Sequence, residues 1–156
     1  MRKIELNIFN DDFREFIQAL GSYNVDYLLI GGYSVILYGY HRTTGDMDIW
    51  VRKTALNYDK LTQAMNSFGL PASMIGSQRF LNAAEYDVFT FGRPPVAIDI
   101  VTEINGVDFE VAFNNKEIVE VDGLKVNLIS KTDLIITKTA VGRYKDLDDL
   151  ENLSID

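Results

Sequence analysis

The run Val96-Ala97-Ile98-Asp99-Ile100-Val101 constrains this chain more than any other stretch. Its apolar, β-branched character predicts a strand over Val96 to Ile104, inside an otherwise buried sheet. Asp99 sits in the middle of it with an isoleucine on either side. An isolated carboxylate in such a place is costly to bury. The strand must therefore be half-exposed, or meet a buried arginine, or lie where a cation reaches Asp99. The fold has to supply one of these.

A second pair of carboxylates offers the third route. Met47-Asp48-Ile49-Trp50-Val51 reads as a strand, and Asp46 stands just before it. Residues two apart on a strand share a face, so Asp46 and Asp48 point together while Met47, Ile49 and Val51 take the opposite, buried side. Two carboxylates about 7 Å apart along one strand repel and coexist best with a cation or a proton. Pairing the Asp99 strand beside this one brings all three acids to one place. With no cysteine and a single histidine in the chain, such oxygen donors favour a hard ion, Mg2+ or Mn2+. Upstream, the apolar run Tyr27-Leu28-Leu29-Ile30 ends in Gly31-Gly32 before a helix-forming stretch. Glycines at a strand-to-helix turn leave room for a phosphate beside the backbone amides, although glycine pairs also mark ordinary turns.

The remaining periodicities place these features in a single domain spanning residues 1–156, with a core of about 26–130 and C-terminal helices at about 131–153. A helix capped by Asn10 or Asp11 carries Phe13, Phe16, Ile17 and Leu20 and stops near Gly21. Short or amphipathic helices are expected at Val35 to Tyr38 and Thr54 to Phe68, the latter ended by Gly69. Residues 71 to 84 read as irregular or helical, and Tyr86 to Phe91 as a strand turning through Pro94 and Pro95. A short helix at Phe109 to Phe113 precedes a hairpin, Ile118 to Val121 and Leu124 to Leu128, that turns at Asp122-Gly123. Helices over Lys131 to Val141 and Asp146 to Leu153, the second capped by Asp146, close the chain. The sum is an α+β fold: a mixed β-sheet with helices packed on one face at least.

Charge narrows the partners. The 156 residues carry a net charge of -8, which repels a phosphate backbone at long range and argues against broad nucleic-acid binding. No apolar run reaches the roughly 18 residues of a membrane span, and the N-terminus turns acidic before a signal-peptide core forms. A cytoplasmic protein without membrane contact is expected.

Taken together, Ile30-Gly31-Gly32, thirteen intervening residues, Asp46-Met47-Asp48-Ile49 and the later Asp99 resemble the signature of the DNA polymerase beta-type nucleotidyltransferase superfamily. The stretch Arg42-Thr43-Thr44-Gly45-Asp46 is similar to the abortive-infection (AbiEii-type) toxin branch and its small bacterial relatives. The resemblance covers roughly residues 26 to 150 and implies a minimal nucleotidyltransferase fold. It implies transfer of a nucleoside monophosphate from a triphosphate, ATP among the candidates, to a hydroxyl on RNA, tRNA or protein. Asp46, Asp48 and Asp99 would be the catalytic, metal-holding carboxylates. Gly31, Gly32, Ser34, Arg42, Thr44 and Lys138 would hold the nucleotide, with Arg143 a weaker candidate. A toxin–antitoxin setting with a cognate partner protein goes with that branch; a non-catalytic nucleotide-binding or regulatory module is the alternative. Many family members carry Ser directly after the first glycine, where this chain has Gly32, and the larger toxin-branch enzymes have more helix at the C-terminus. His41 reads as a loop residue rather than a base, and Tyr33 as core, pocket wall or a stacking surface for a nucleobase.

Overall fold

Side-chain caps and left-handed glycines set the limits of the longer helices. Asn10 accepts from the Phe13 amide at the head of α1 (Asp11–Ser22). Thr54 does the same for Asn57 in α3 (Ala55–Phe68), which Gly69 ends at φ +98°. Ser130 caps α6 (Lys131–Val141), and Gly142 closes it at φ +67°. Each cap satisfies an amide that the first helical turn leaves without a partner. The computed structural model describes residues 1–82, 88–93, 96–104, 106–142 and 144–154.

Within those residues the strands are β1 (Arg2–Ile4), β2 (Tyr27–Ile30), β3 (Met47–Val51), β4 (Val88–Arg93), β5 (Val96–Val101), β6 (Glu117–Val121) and β7 (Leu124–Leu128). They form one sheet in the order β1-β6-β7-β2-β3-β5-β4. The pairs β1/β6, β2/β7 and β3/β5 are parallel, and β2/β3, β4/β5 and β6/β7 are antiparallel. The mixed α+β sheet expected from the sequence is present.

Strand alternation divides the core in two. Tyr27, Leu29, Met47, Ile49, Val51, Ile98 and Ile100 pack with Phe13, Phe16, Ile17 and Leu20 of α1 and with Leu61, Ala64 and Met65 of α3. The intervening residues Leu28, Ile30, Trp50 and Val101 meet Ala112 of α5 (Phe109–Asn114), Leu134 of α6 and Leu153 of α7 (Tyr144–Ser154). Both faces of the sheet are therefore covered. By the same alternation Asp48 and Asp99 fall on the second face, towards α6 and α7.

Several boundaries differ from the sequence expectation. β1 was not foreseen: three residues are too few to show a period, and the strand exists through its parallel pairing with β6. β5 ends at Val101, while Ile104 makes a separate bridge to Val107. Residues 71–82 hold a 3-10 turn (Ala72–Met74) and the short helix α4 (Ser77–Asn82). The glycine pair lies inside α2 (Gly31–Leu37) rather than ahead of it. Asp146 is not a cap: α7 starts at Tyr144, and Asp146 sits in its first turn, buried. Tyr86, Pro94 and Pro95, expected at a strand start and a turn, lie outside the described residues, as does Arg143.

One buried amide fastens α3 to the far ends of β2 and β3. Asn57, 2% exposed, accepts from the Asp26 amide at 2.8 Å and donates to the carbonyls of Asp26 at 3.1 Å and Arg52 at 2.9 Å. Removing it leaves the part-buried Asp26 amide and the Asp26 and Arg52 carbonyls without that partner. Asn57→Ala is expected to lower unfolding stability by about 2–3 kcal/mol, read as the shift in urea midpoint at unchanged m-value.

Candidate active site

A cleft of about 460 Å3 opens beside the C-terminal end of β2, and its walls include Gly31, Gly32, Arg42, Thr44, Asp46, Asp48, Asp99, Lys138 and Asp146. The size suits a small-molecule ligand. Most residues singled out from the sequence are brought together here. Ser34 is not among them: it is fully buried, and its hydroxyl donates to the Gly31 carbonyl within α2. His41 is exposed on the loop before β3. The Tyr33 ring lies in the core, with its centroid 5.2 Å from that of Phe9 and 5.6 Å from that of Phe13, so stacking on a nucleobase is closed to it. Burial, and then the negative charge of Asp46, push the Tyr33 phenol above its ordinary pKa.

The carboxylates owe their places to strand register. β3 and β5 run parallel with Asp48 opposite Asp99, while Ile30 of β2 flanks Asp48 on its other side. Partners across a ladder share a face, so Asp48 and Asp99 are neighbours on the cleft side. Asp46 follows the same alternation two residues earlier, and its Oδ1 accepts from the Ala97 amide of β5 at 3.1 Å. Asp99 Oδ1 accepts from the Thr90 hydroxyl at 2.7 Å, across the antiparallel β4/β5 pair. Thr90 escaped the sequence reading; a Thr at alternate spacing in a strand carries no mark until its partner is known.

A carboxylate has two oxygens with about four lone pairs, so one such hydrogen bond leaves capacity for a cation. The donor chemistry, three aspartates without thiolate, fits a hard divalent ion. As folded, among the described residues, these acids line one wall without closing into a three-ligand cation cluster.

The glycines leave no room for side chains of their own. Gly31 has φ +72°, and a Cβ added there would stand 2.1 Å from Asp48 Oδ2. At Gly32 a Cβ would meet Thr44 Oγ1 at 2.5 Å and the Arg42 guanidinium carbon at 3.4 Å. The turn is thus packed directly against Asp48 on one residue and against Thr44 and Arg42 on the next.

The same cleft holds a charge network that the sequence did not announce. Lys138, 7% exposed by side chain, pairs with Asp146 at 3.1 Å and Asp149 at 3.0 Å. Arg42 pairs with the same Asp149 oxygen, Oδ2. The lysine expected to contact phosphate is therefore on the cleft wall, but held by two aspartates of α7.

The sequence model of the DUF6036 family, described as nucleotidyltransferases of unknown function, matches residues 11–155. No curated protein sequence matches the chain. Among solved structures, a Thermotoga maritima protein assigned as a nucleotidyltransferase (TM1012) superposes with a TM-score of 0.58 at 14% identity, covering 90% of this chain and 88% of that one. The lincosamide antibiotic adenylyltransferase LnuA, solved with lincomycin bound, superposes with a TM-score of 0.57 at 17% identity, covering 96% of this chain and 98% of that one. At these identities the likeness is one of fold. No helix among the described residues is long and apolar enough to cross a membrane.

Gly31→Ala should force the Asp48 carboxylate aside and strain the backbone, lowering stability by about 1–3 kcal/mol. Gly21→Ala, where an added Cβ meets nothing within 4 Å, should be neutral or stabilise by about 0.5 kcal/mol. Thermal midpoints of the two variants, measured side by side, check the difference.

Proposed function

The chain belongs to the DUF6036 nucleotidyltransferase family, and we propose that it transfers a nucleoside monophosphate from a nucleoside triphosphate to a hydroxyl acceptor at the Asp46-Asp48-Asp99 wall. The observation that carries this reading is the parallel register of β3 and β5. It sets Asp48 beside Asp99, with Asp46 tied to the same strand and the glycine turn next to them.

In the proposed reaction, the acceptor oxygen bonds to the α-phosphorus as the P–O bond to the β-phosphate breaks. Pyrophosphate leaves, and the hydroxyl proton passes to the Asp99 carboxylate. Asp46, Asp48 and Asp99 would hold Mg2+ or Mn2+, which supplies neutralisation of the triphosphate and a more acidic acceptor hydroxyl. Arg42, Thr44 and Lys138 face the cleft near the glycine turn and would contact the terminal phosphates; Gly31 and Gly32 would offer their amides. Ser34, being buried, would act only through the shape of the turn. Asp46, Asp48, Asp99 and Asp146 outnumber the two cations of the wall, Arg42 and Lys138. A triphosphate would be repelled from such a wall without added divalent cations, and this supports the metal-dependent reading.

The acceptor belongs to the same proposal. RNA, tRNA or a protein hydroxyl is the class we favour, in the cytoplasm and with a partner protein of the toxin–antitoxin kind. The resemblance of the Arg42-Thr43-Thr44-Gly45-Asp46 stretch to the toxin branch motivates that setting, and all five residues line the cleft. LnuA acts on a lincosamide antibiotic, so a small hydroxyl compound is the competing class.

Pyrophosphate release from each triphosphate, with Mg2+ and a mixture of tRNA and cell protein as acceptors, tests the reaction. Asp48→Asn and Asp99→Asn should each lower the rate by about a hundredfold or more, the scale of several kcal/mol of charge stabilisation. Chelation should abolish turnover, and Mg2+ or Mn2+ should restore it. Full activity in Asp48→Asn would rule the mechanism out, and nucleotide binding without any turnover would leave a binding module instead.

A further inference from the structure

Asp149 lies behind the cleft wall, 2% exposed, and is not itself part of the lining. Its Oδ2 nevertheless takes both wall cations: Lys138 Nζ at 3.0 Å and the Arg42 guanidinium. The two cations come from distant parts of the chain, one from the loop ahead of β3 and one from α6. Like charges repel, and nothing in either segment by itself would set them side by side. A shared carboxylate does so by drawing both to one oxygen.

The consequence reaches the glycine turn. The Arg42 guanidinium carbon stands 3.4 Å from where a Gly32 Cβ would lie. Asp149 therefore connects α7 to the phosphate-facing end of the cleft through a single arginine. Lys138 keeps a second partner in Asp146, so its burial does not depend on Asp149 alone.

We propose that Asp149 is a positioning residue for the nucleotide. It fixes Arg42 and Lys138 as a side-by-side pair of cations that receives the β- and γ-phosphates of a nucleoside triphosphate. This deepens, and rests on, the transfer reaction proposed above. It also makes the docking of α7 a condition of triphosphate binding.

The sign of one substitution separates this role from that of a bystander acid. A carboxylate that only neutralised its neighbours would repel an incoming phosphate, and its loss would make the site more positive and binding tighter. A positioning carboxylate gives the opposite result, because its loss frees the Arg42 side chain to disperse.

Inorganic tripolyphosphate with Mg2+ is titrated calorimetrically into the wild type, Asp149→Asn, Asp149→Glu, Arg42→Ala and the Arg42→Ala/Asp149→Asn double variant. The thermal midpoint of each is recorded in parallel. Asp149→Asn is expected to bind about tenfold more weakly. Asp149→Glu should recover part of that loss, and the double variant should bind no more weakly than Arg42→Ala alone. Should Asp149→Asn fail to fold, Arg42→Lys carries the test, since it keeps the charge but loses the guanidinium fork and should also weaken binding. Unchanged or tighter binding in folded Asp149→Asn, additive losses in the double variant, or full affinity in Arg42→Lys would each overturn the inference. A wild type that releases pyrophosphate from a triphosphate but does not bind tripolyphosphate would overturn this inference and leave the transfer reaction standing. Failure of both would remove the transfer reaction as well.

Discussion

Residues paired across a parallel ladder share a face, and in this protein the ladder between β3 and β5 pairs Asp48 with Asp99. Everything at the cleft is arranged around that adjacency. A slip of one residue would turn Asp99 into the core and an isoleucine into the cleft. Register is held by the other face, where Met47 and Ile49 of β3 and Ile98 and Ile100 of β5 are buried against α1 and α3. Hydrophobic packing on one side of the sheet thus sets the geometry of charge on the other.

The polar contacts around the acids follow from the same pairing. Asp46 reaches the Ala97 amide because β5 begins beside it, and Thr90 reaches Asp99 because β4 pairs back on β5. Gly31 gives Asp48 room where any side chain would collide with it. Each of these is a short-range interaction between residues of different elements, from nine apart (Thr90 and Asp99) to fifty-one apart (Asp46 and Ala97) in sequence. They hold the carboxylates in place on the cleft wall.

A second set of charges lies at the same cleft. Buried ion pairs are a weak guide to stability, because desolvation offsets most of the attraction between the charges. Gathering three buried charges and the partly exposed Arg42 in one network, at the wall of a cleft, is easier to understand as placement than as stabilisation. The network also explains why α7 belongs to the site: its Asp146 and Asp149 complete the surroundings of Lys138 and Arg42.

Local chemistry was legible directly from the residues. The strands Tyr27–Ile30 and Met47–Val51, the cap at Asn10 and the glycine stop at 69 depend on neighbours within a few positions. So do the shared face of Asp46 and Asp48 and the oddity of Asp99 among isoleucines. The three-residue β1, the hydrogen bond from Thr90, the burial of Ser34 and Tyr33, and the hold of Asp149 on Arg42 and Lys138 were decided only by tertiary structure. Their physical reason is common. Each depends on a partner brought from elsewhere in the chain, and pattern along a sequence reports which groups want a partner without saying which one the fold will deliver.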